Sequence, residues 1–489
     1  MGGTGKVWFD LMTNEDIFPS GFQEFCSENL ACAIQQAFPS LFSDLDQLRE
    51  EIDKVIFPRL DFMVGSEENS FSFLFEARYV ETEWKDMVGM HYINTSYEVE
   101  NTVMRIHLFK KNKVREKHYR GCFTMRTINE ARIMLSYIYP NWKYVAYKGS
   151  ALNVMTYRKK VHLYGKEITF CTYPLFAQDN TVVACAQACL VSMSKYLHSQ
   201  YDYTKIQIRN INDSYRSNKT KVYPSSGLFS TQMLEILSSY NIPCGYQVYH
   251  EQEEFKEYID YCIESAIPVL VGIHVQEENS ETAEKDKEKK ETCEKKIGRH
   301  VIQIIGHSDV KKDMEKKYVV YDDSGYYLRH LGEEGFVRCV SWEVLRDSLQ
   351  NNKSFIIYPI HEKVYILYDN FKKHVNDILK RYRWEDTVEN RIPEQNGRAL
   401  LVDNREVKHF LREQMVDTQE INVNVQEEAR RLLAMDMPHY LWCYEYNTPL
   451  GNALFIADPT YIRSTTKSIF LNKVPLISRS QISLLRYDD

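Results

Sequence analysis

The chain has 489 residues, enough for two or three cores, and its 44% hydrophobic and 26% charged residues are ordinary for a globular protein. A formal charge of -7 gives no basic footprint, which argues against nucleic acid or an anionic membrane surface as a partner. The amino-terminal MGGTGKVWFD lacks the apolar segment of a secretion signal, and apolar runs such as residues 267–273 are far too short to span a bilayer, so a cytoplasmic location is expected.

Residues 20–60 read as helical, with Ser43 as N-cap of the second helix. Beyond them, residues 71–75, 104–109 and 144–147 are rich in aromatic and branched side chains and read as strands, while residues 128–139 read as a short helix before Pro140. Residues 1–164 are therefore expected to form an α+β domain. Its histidines at 91, 107, 118 and 162 stand apart from one another and read as core or surface histidines.

Residues 178–197, QDNTVVACAQACLVSMSKYL, carry the first chemical signal. From Cys185 the residues Cys189, Leu190, Met193 and Leu197 recur at helical spacing, so one buried stripe begins at Cys185. A cysteine in the first helical turn faces unpaired N–H groups and the positive end of the helix dipole, which favour the nucleophilic thiolate. Cys189, one turn further in, reads as a small buried hydrophobe. The eleven cysteines are scattered, odd in number and without a CxxC pair, so reduced thiols are expected.

A helix ending near Asn241, a strand, a second helix (EEFKEYIDYCIESA) and the apolar strand IPVLVGIHV follow. Residues 277–296 then hold eight acidic and six basic side chains among twenty, the composition of a solvated insertion. Behind it, GRHVIQIIGHSD reads as a strand with His300 at its entrance and His307 at its exit, and KYVVYDDSGYY as a strand ending in Asp322 and Asp323. Cysteine, histidine and aspartate in this order suit a nucleophilic triad: the imidazole takes the thiol proton and returns it to the leaving group, and the carboxylate fixes the imidazole. His307 competes as base and Asp323 as orienting group. A zinc site from Cys185, Cys189 and His300 lacks a fourth ligand, so neither metal nor cofactor is expected.

The series CAQAC on a helix, the apolar strand after IPV, the strand HVIQIIGH and the strand end VYDDSG resembles the papain-like fold of bacteriocin-leader (double-glycine) peptidases and their stand-alone bacterial relatives. Ala186 stands where those enzymes usually carry glycine. The resemblance implies an α+β papain-like core over residues 165–360 and a peptide or protein substrate. It also implies Cys185 as nucleophile, His300 as general base, Asp322 as orienting carboxylate and Gln178 as oxyanion-hole donor. The expected activity is thiol-dependent hydrolysis of peptide or amide bonds. A transglutaminase or deamidase uses the same residues, and a binding or scaffold protein would retain the fold without turnover.

Residues 361–489 return to helical periodicity in FKKHVNDILKRYRW, REVKHFLREQM and VQEEARRLLAM, with PEQNGRALLVDN as a polar separator. They close with two strands, HYLWCYEYN and NALFIADPT, joined by a turn at TPLGN.

Overall fold

The computed structural model describes residues 21–58, 60, 71–91, 100–128, 132–138, 152–179, 182–214, 227–276, 297–308, 316–332, 335–381, 397–416, 423–448, 451–460 and 470–476. The charged insertion 277–296 and the expected strand at 144–147 lie outside them. Mixed helices and antiparallel ladders make the chain an α+β protein. It divides into two compact units, Met1–Ile242 with Leu270–Phe355, and Pro243–Val269 with Ile356–Asp489.

The first unit is built on a seven-stranded sheet. Five strands enter it in turn: β1 (Phe22–Glu24), β2 (Ser72–Tyr79), β3 (Val103–Phe109), β4 (Tyr119–Met125) and β5 (Ile133–Ile138). The next, β6 (Leu152–Val154), instead pairs with the strand Ile297–Ser308. The hairpin of β7 (Tyr157–Leu163) and β8 (Lys166–Phe176) completes the order β1-β2-β3-β4-β5-β8-β7. Period-two alternation sorts side chains between the faces. Phe73 and Phe123 bury themselves on one face against Phe25, at ring distances of 6.1 and 6.3 Å. Arg105 and His107, on the strand between them, both meet the Glu76 carboxylate, at 2.6 and 3.2 Å.

Three local expectations give way here. Residues 128–139 hold strand β5, not a helix. All six β5 residues are buried, Ser136 included, and a mostly apolar run without alternation cannot be told from a buried helix by periodicity. The helix Leu45–Glu51 is capped by Asp44, whose side chain accepts from the Gln47 N–H at 2.9 Å, not by its neighbour Ser43. A domain boundary at 164/165 would cut the β7–β8 hairpin, in which Leu163 pairs with Lys166. Tyr164 and Gly165 both adopt positive φ there, as a tight two-residue turn demands.

The helix Cys185–Tyr201 packs against both β8 and Ile297–Ser308, and so joins this sheet to the strands that follow. Its Tyr196 ring lies 5.2 Å from that of Tyr173, and its Ser192 hydroxyl accepts from the Phe176 N–H at 3.0 Å. Within this unit the strand Ile297–Ser308 pairs antiparallel with Lys317–Tyr321, which pairs in turn with Val337–Ser341.

In the second unit, Gly397–Asp403, Tyr440–Thr448, Gly451–Ala457 and Phe470–Leu476 form an antiparallel meander. Leu400, Val402, Leu441 and Ile456 bury one side of it with Phe410, Leu411 and Leu432 of the helices Asn404–Val416 and Val423–Ala434. The segment GRALLVD, expected as part of a polar separator, is its first strand. Trp442 stacks on Phe371 at 4.9 Å and donates its indole N–H to the Ile366 carbonyl. The helix Gln252–Glu264 belongs to this unit: Glu264 and Glu445 both grip the Arg398 guanidinium at 2.6 Å, and the Ser265 hydroxyl accepts from the Leu401 N–H. Among the described residues no helix is long and apolar enough to cross a membrane.

Candidate active site

The helix begins at Cys185, the position its apolar spacing marks. Ala184 occupies the N-cap with extended backbone and offers no side-chain acceptor. Gln187 compensates by reaching back, its Oε1 accepting from the Ala184 N–H at 3.0 Å. One turn earlier Asp179 Oδ1 accepts from both the Val182 and Val183 N–H groups at 2.8 Å, and the Asp179 N–H returns to the Val183 carbonyl. The approach to the helix is thus a closed polar turn, and Cys185 leaves it half-buried.

The strand ends supply the other two groups. Gln303 pairs with Tyr321, so continuing that register brings residues 322–324 beside the segment that starts at His300. A register shift between Ile304 and Gly306 accompanies the close approach of β6: a Cβ on Gly306 would sit 2.1 Å from the Asn153 carbonyl oxygen. After Tyr321 the chain turns at Gly325, which has φ +65°. The turn is organised by Asp322, whose Oδ1 accepts from the Ser324 N–H and hydroxyl at 3.3 and 3.2 Å, and whose Oδ2 accepts from the Leu328 N–H at 3.1 Å.

His300 Nε2 lies 2.8 Å from Asp322 Oδ1 and 3.6 Å from Asp323 Oδ1. The ring is 6% exposed and both aspartates are fully buried. Burial opposes charge on the imidazole, but Asp322, and Cys185 on the helix side, outweigh it and push His300 well above its ordinary range. Burial likewise opposes charge on Asp322, and His300 with the Leu328 and Ser324 N–H groups holds that carboxyl below its ordinary value. Cys185 also acts on the ring, raising its proton affinity through charge and through a side-chain hydrogen bond.

The other candidates fall apart in space or in chemistry. Cys189 is buried with its sulfur 3.6 Å from the Val301 carbonyl oxygen; burial, then Asp323, Cys185 and Asp322, push its thiol far up. His307 sits seven residues along the strand from His300, roughly 23 Å at ~3.3 Å per residue, with Nδ1 on the Ser308 carbonyl. Asp323 stands beside His300 as a second, more distant carboxylate. Gln178 lies in the turn ahead of the helix; among the described residues its backbone carbonyl accepts from Arg126, and no hydrogen bond joins its side chain to Cys185 or His300.

The nitrogen of His300 and one oxygen each from Asp322 and Asp323 lie within 4.8 Å of one another, the one His/Cys/Asp/Glu group of metal-holding dimensions among the described residues. Both Asp322 oxygens already accept from His300, Ser324 and Leu328, so this grouping is better made as an ion pair than as an open coordination site. Sequence reasoning missed Gln187, Ser324 and Arg126. Gln187 had a legible signal, a glutamine at the third helical position. Set against known protein families and curated proteins, the chain matches no family model and no curated sequence.

Proposed function

We propose that this protein is a thiol-dependent hydrolase of peptide or amide bonds with a papain-like core. The observation that carries this reading is His300 held at 2.8 Å by a buried carboxylate while its ring also interacts with a cysteine at the first turn of a buried helix. A helix-borne cysteine packed on the strand Ile297–Ser308 supports the papain-like assignment.

In this mechanism Asp322 takes up the Nε2 side of the ring, which leaves Nδ1 to exchange a proton with the thiol. The Cys185 sulfur attacks the carbonyl carbon, the C=O electron pair moves onto oxygen, and an oxyanion forms near the Gln178 turn. Collapse expels the amine, which takes its proton from His300, and water cleaves the resulting thioester. The substrate is a peptide or protein, and the free thiols suit a reducing, cytoplasmic setting.

The test is alkylation by iodoacetamide at pH 6, followed at each cysteine by peptide mass spectrometry. Cys185 is expected to label faster than every other cysteine, with the advantage lost in His300→Ala. Labelling at the bulk cysteine rate in the wild type would sink the proposal.

A further inference from the structure

Arg126 is a buried charge that the triad does not use. It follows β4, is 2% exposed, and donates from Nη2 to the carbonyl oxygens of Ala177 at 3.3 Å and Gln178 at 3.2 Å. Its Nε–H is buried without an acceptor, and among the described residues no carboxylate pairs with its charge. Burying a guanidinium is costly, and an apolar side chain would fill the same space at less expense. What the arginine provides is one nitrogen, Nη2, shared between two consecutive carbonyls of the segment leading to Cys185.

That segment is anchored from the other side as well, since Asp179 accepts from the Val182 and Val183 N–H groups. Gln178 therefore sits between two backbone anchors, one on β4's exit and one in the turn that starts the Cys185 helix. Resting on the hydrolase reading above, we propose that Arg126 is the positioning residue of the oxyanion side of the site: it clamps the Ala177 and Gln178 carbonyls and so aims the Gln178 amide at the acyl oxygen. The sheet that precedes the cysteine helix thereby takes part in catalysis, and its positive charge adds to the field that stabilises the oxyanion.

Two reagents separate this role from that of the triad. With p-nitrophenyl acetate, the Cys185 sulfur bonds to the carbonyl carbon, the π pair goes onto oxygen, and collapse breaks the ester C–O bond to release p-nitrophenolate; the thiol proton passes to His300. With iodoacetamide the same sulfur bonds to the methylene carbon as the C–I bond breaks and iodide leaves to solvent, so no oxyanion is made.

Both rates are measured on the full chain for the wild type, Gln178→Ala, Arg126→Met, Arg126→Lys and the Gln178→Ala/Arg126→Met double variant. Gln178→Ala is expected to slow acylation on the order of 10²-fold, with alkylation within about twofold of wild type. Arg126→Met is expected to slow acylation about tenfold with alkylation preserved, Arg126→Lys less, and the double variant no more than Gln178→Ala alone. Wild-type acylation in Arg126→Met, equal loss of both reactions in Arg126→Lys, or additive losses in the double variant would overturn the role of Arg126. If Arg126→Met does not fold, Arg126→Lys alone decides by the same criterion. A wild-type Cys185 inert to both reagents overturns the hydrolase reading itself, an outcome distinct from any of these.

Discussion

His300 has unequal neighbours, a carboxylate at 2.8 Å, a second at 3.6 Å and the Cys185 thiol, which also raises its proton affinity. Its raised proton affinity stabilises the fold fully below the unfolded value of about 6.5, and this contribution is lost as pH rises through the higher folded value. The distances rank the aspartates: Asp322→Asn is expected to slow Cys185 acylation by p-nitrophenyl acetate on the order of 10²- to 10⁴-fold, and Asp323→Asn by much less. The reverse order would move the orienting role to Asp323. Cys185 and Asp322 were legible as candidates because they sit at the ends of periodic elements, and His300 because it lies near the start of an apolar strand, three residues inside it. The choice between neighbouring aspartates was not legible: Val319, Val320 and Tyr321 are all buried, and a strand covered on both faces carries no alternation to extrapolate. Arg126 was hidden for another reason, since its partners lie 51 and 52 residues away.

Elements position these groups through a few backbone contacts, and those contacts are separately testable. Asp179→Ala removes the acceptor of two N–H groups at the head of the cysteine helix, and is expected to cost about 1–2 kcal/mol by urea denaturation. Gly306→Ala places a methyl group 2.1 Å from the Asn153 carbonyl oxygen, where backbone rather than a flexible side chain must yield. A loss of about 1–3 kcal/mol is expected, and unchanged stability would contradict the β6 pairing. Helix starts were legible where an apolar stripe has a defined first residue, as at Cys185. Elements were misread where that signal is missing: β5 is buried throughout, and Gly397–Asp403 is a strand with polar residues at both ends. Their states are set by strands β4 and Tyr440–Thr448, which pair with them from elsewhere in the chain.

At the scale of the whole molecule, acid sensitivity follows from histidines kept neutral by burial. His107 Nδ1 lies 2.9 Å from the Tyr119 hydroxyl and Nε2 3.2 Å from Glu76, and burial, then Arg105, depress its pKa to about 4 against the pull of Glu76. A depressed value means stability that is complete above about pH 6.5 and lost as pH falls toward 4, on the order of 3 kcal/mol over the window. His107→Gln is expected to flatten the fall in urea midpoint between pH 6.5 and 4.5; an unchanged slope would exclude His107 as its source.

Residues 243–269 belong to the second unit although the first unit claims the chain on either side of them. During synthesis the helix Gln252–Glu264 therefore emerges more than a hundred residues ahead of Arg398 and Leu401, the groups that Glu264 and Ser265 hold. At ~5–20 residues per second that is a wait on the order of ten seconds, with Tyr258 and Tyr261 lacking the Tyr368 and Trp442 rings that pack on them. A chain stopped at residue 360 never ends that wait, so a fragment of residues 165–360 should be recovered from expression largely as aggregate, while the 489-residue chain is recovered in solution.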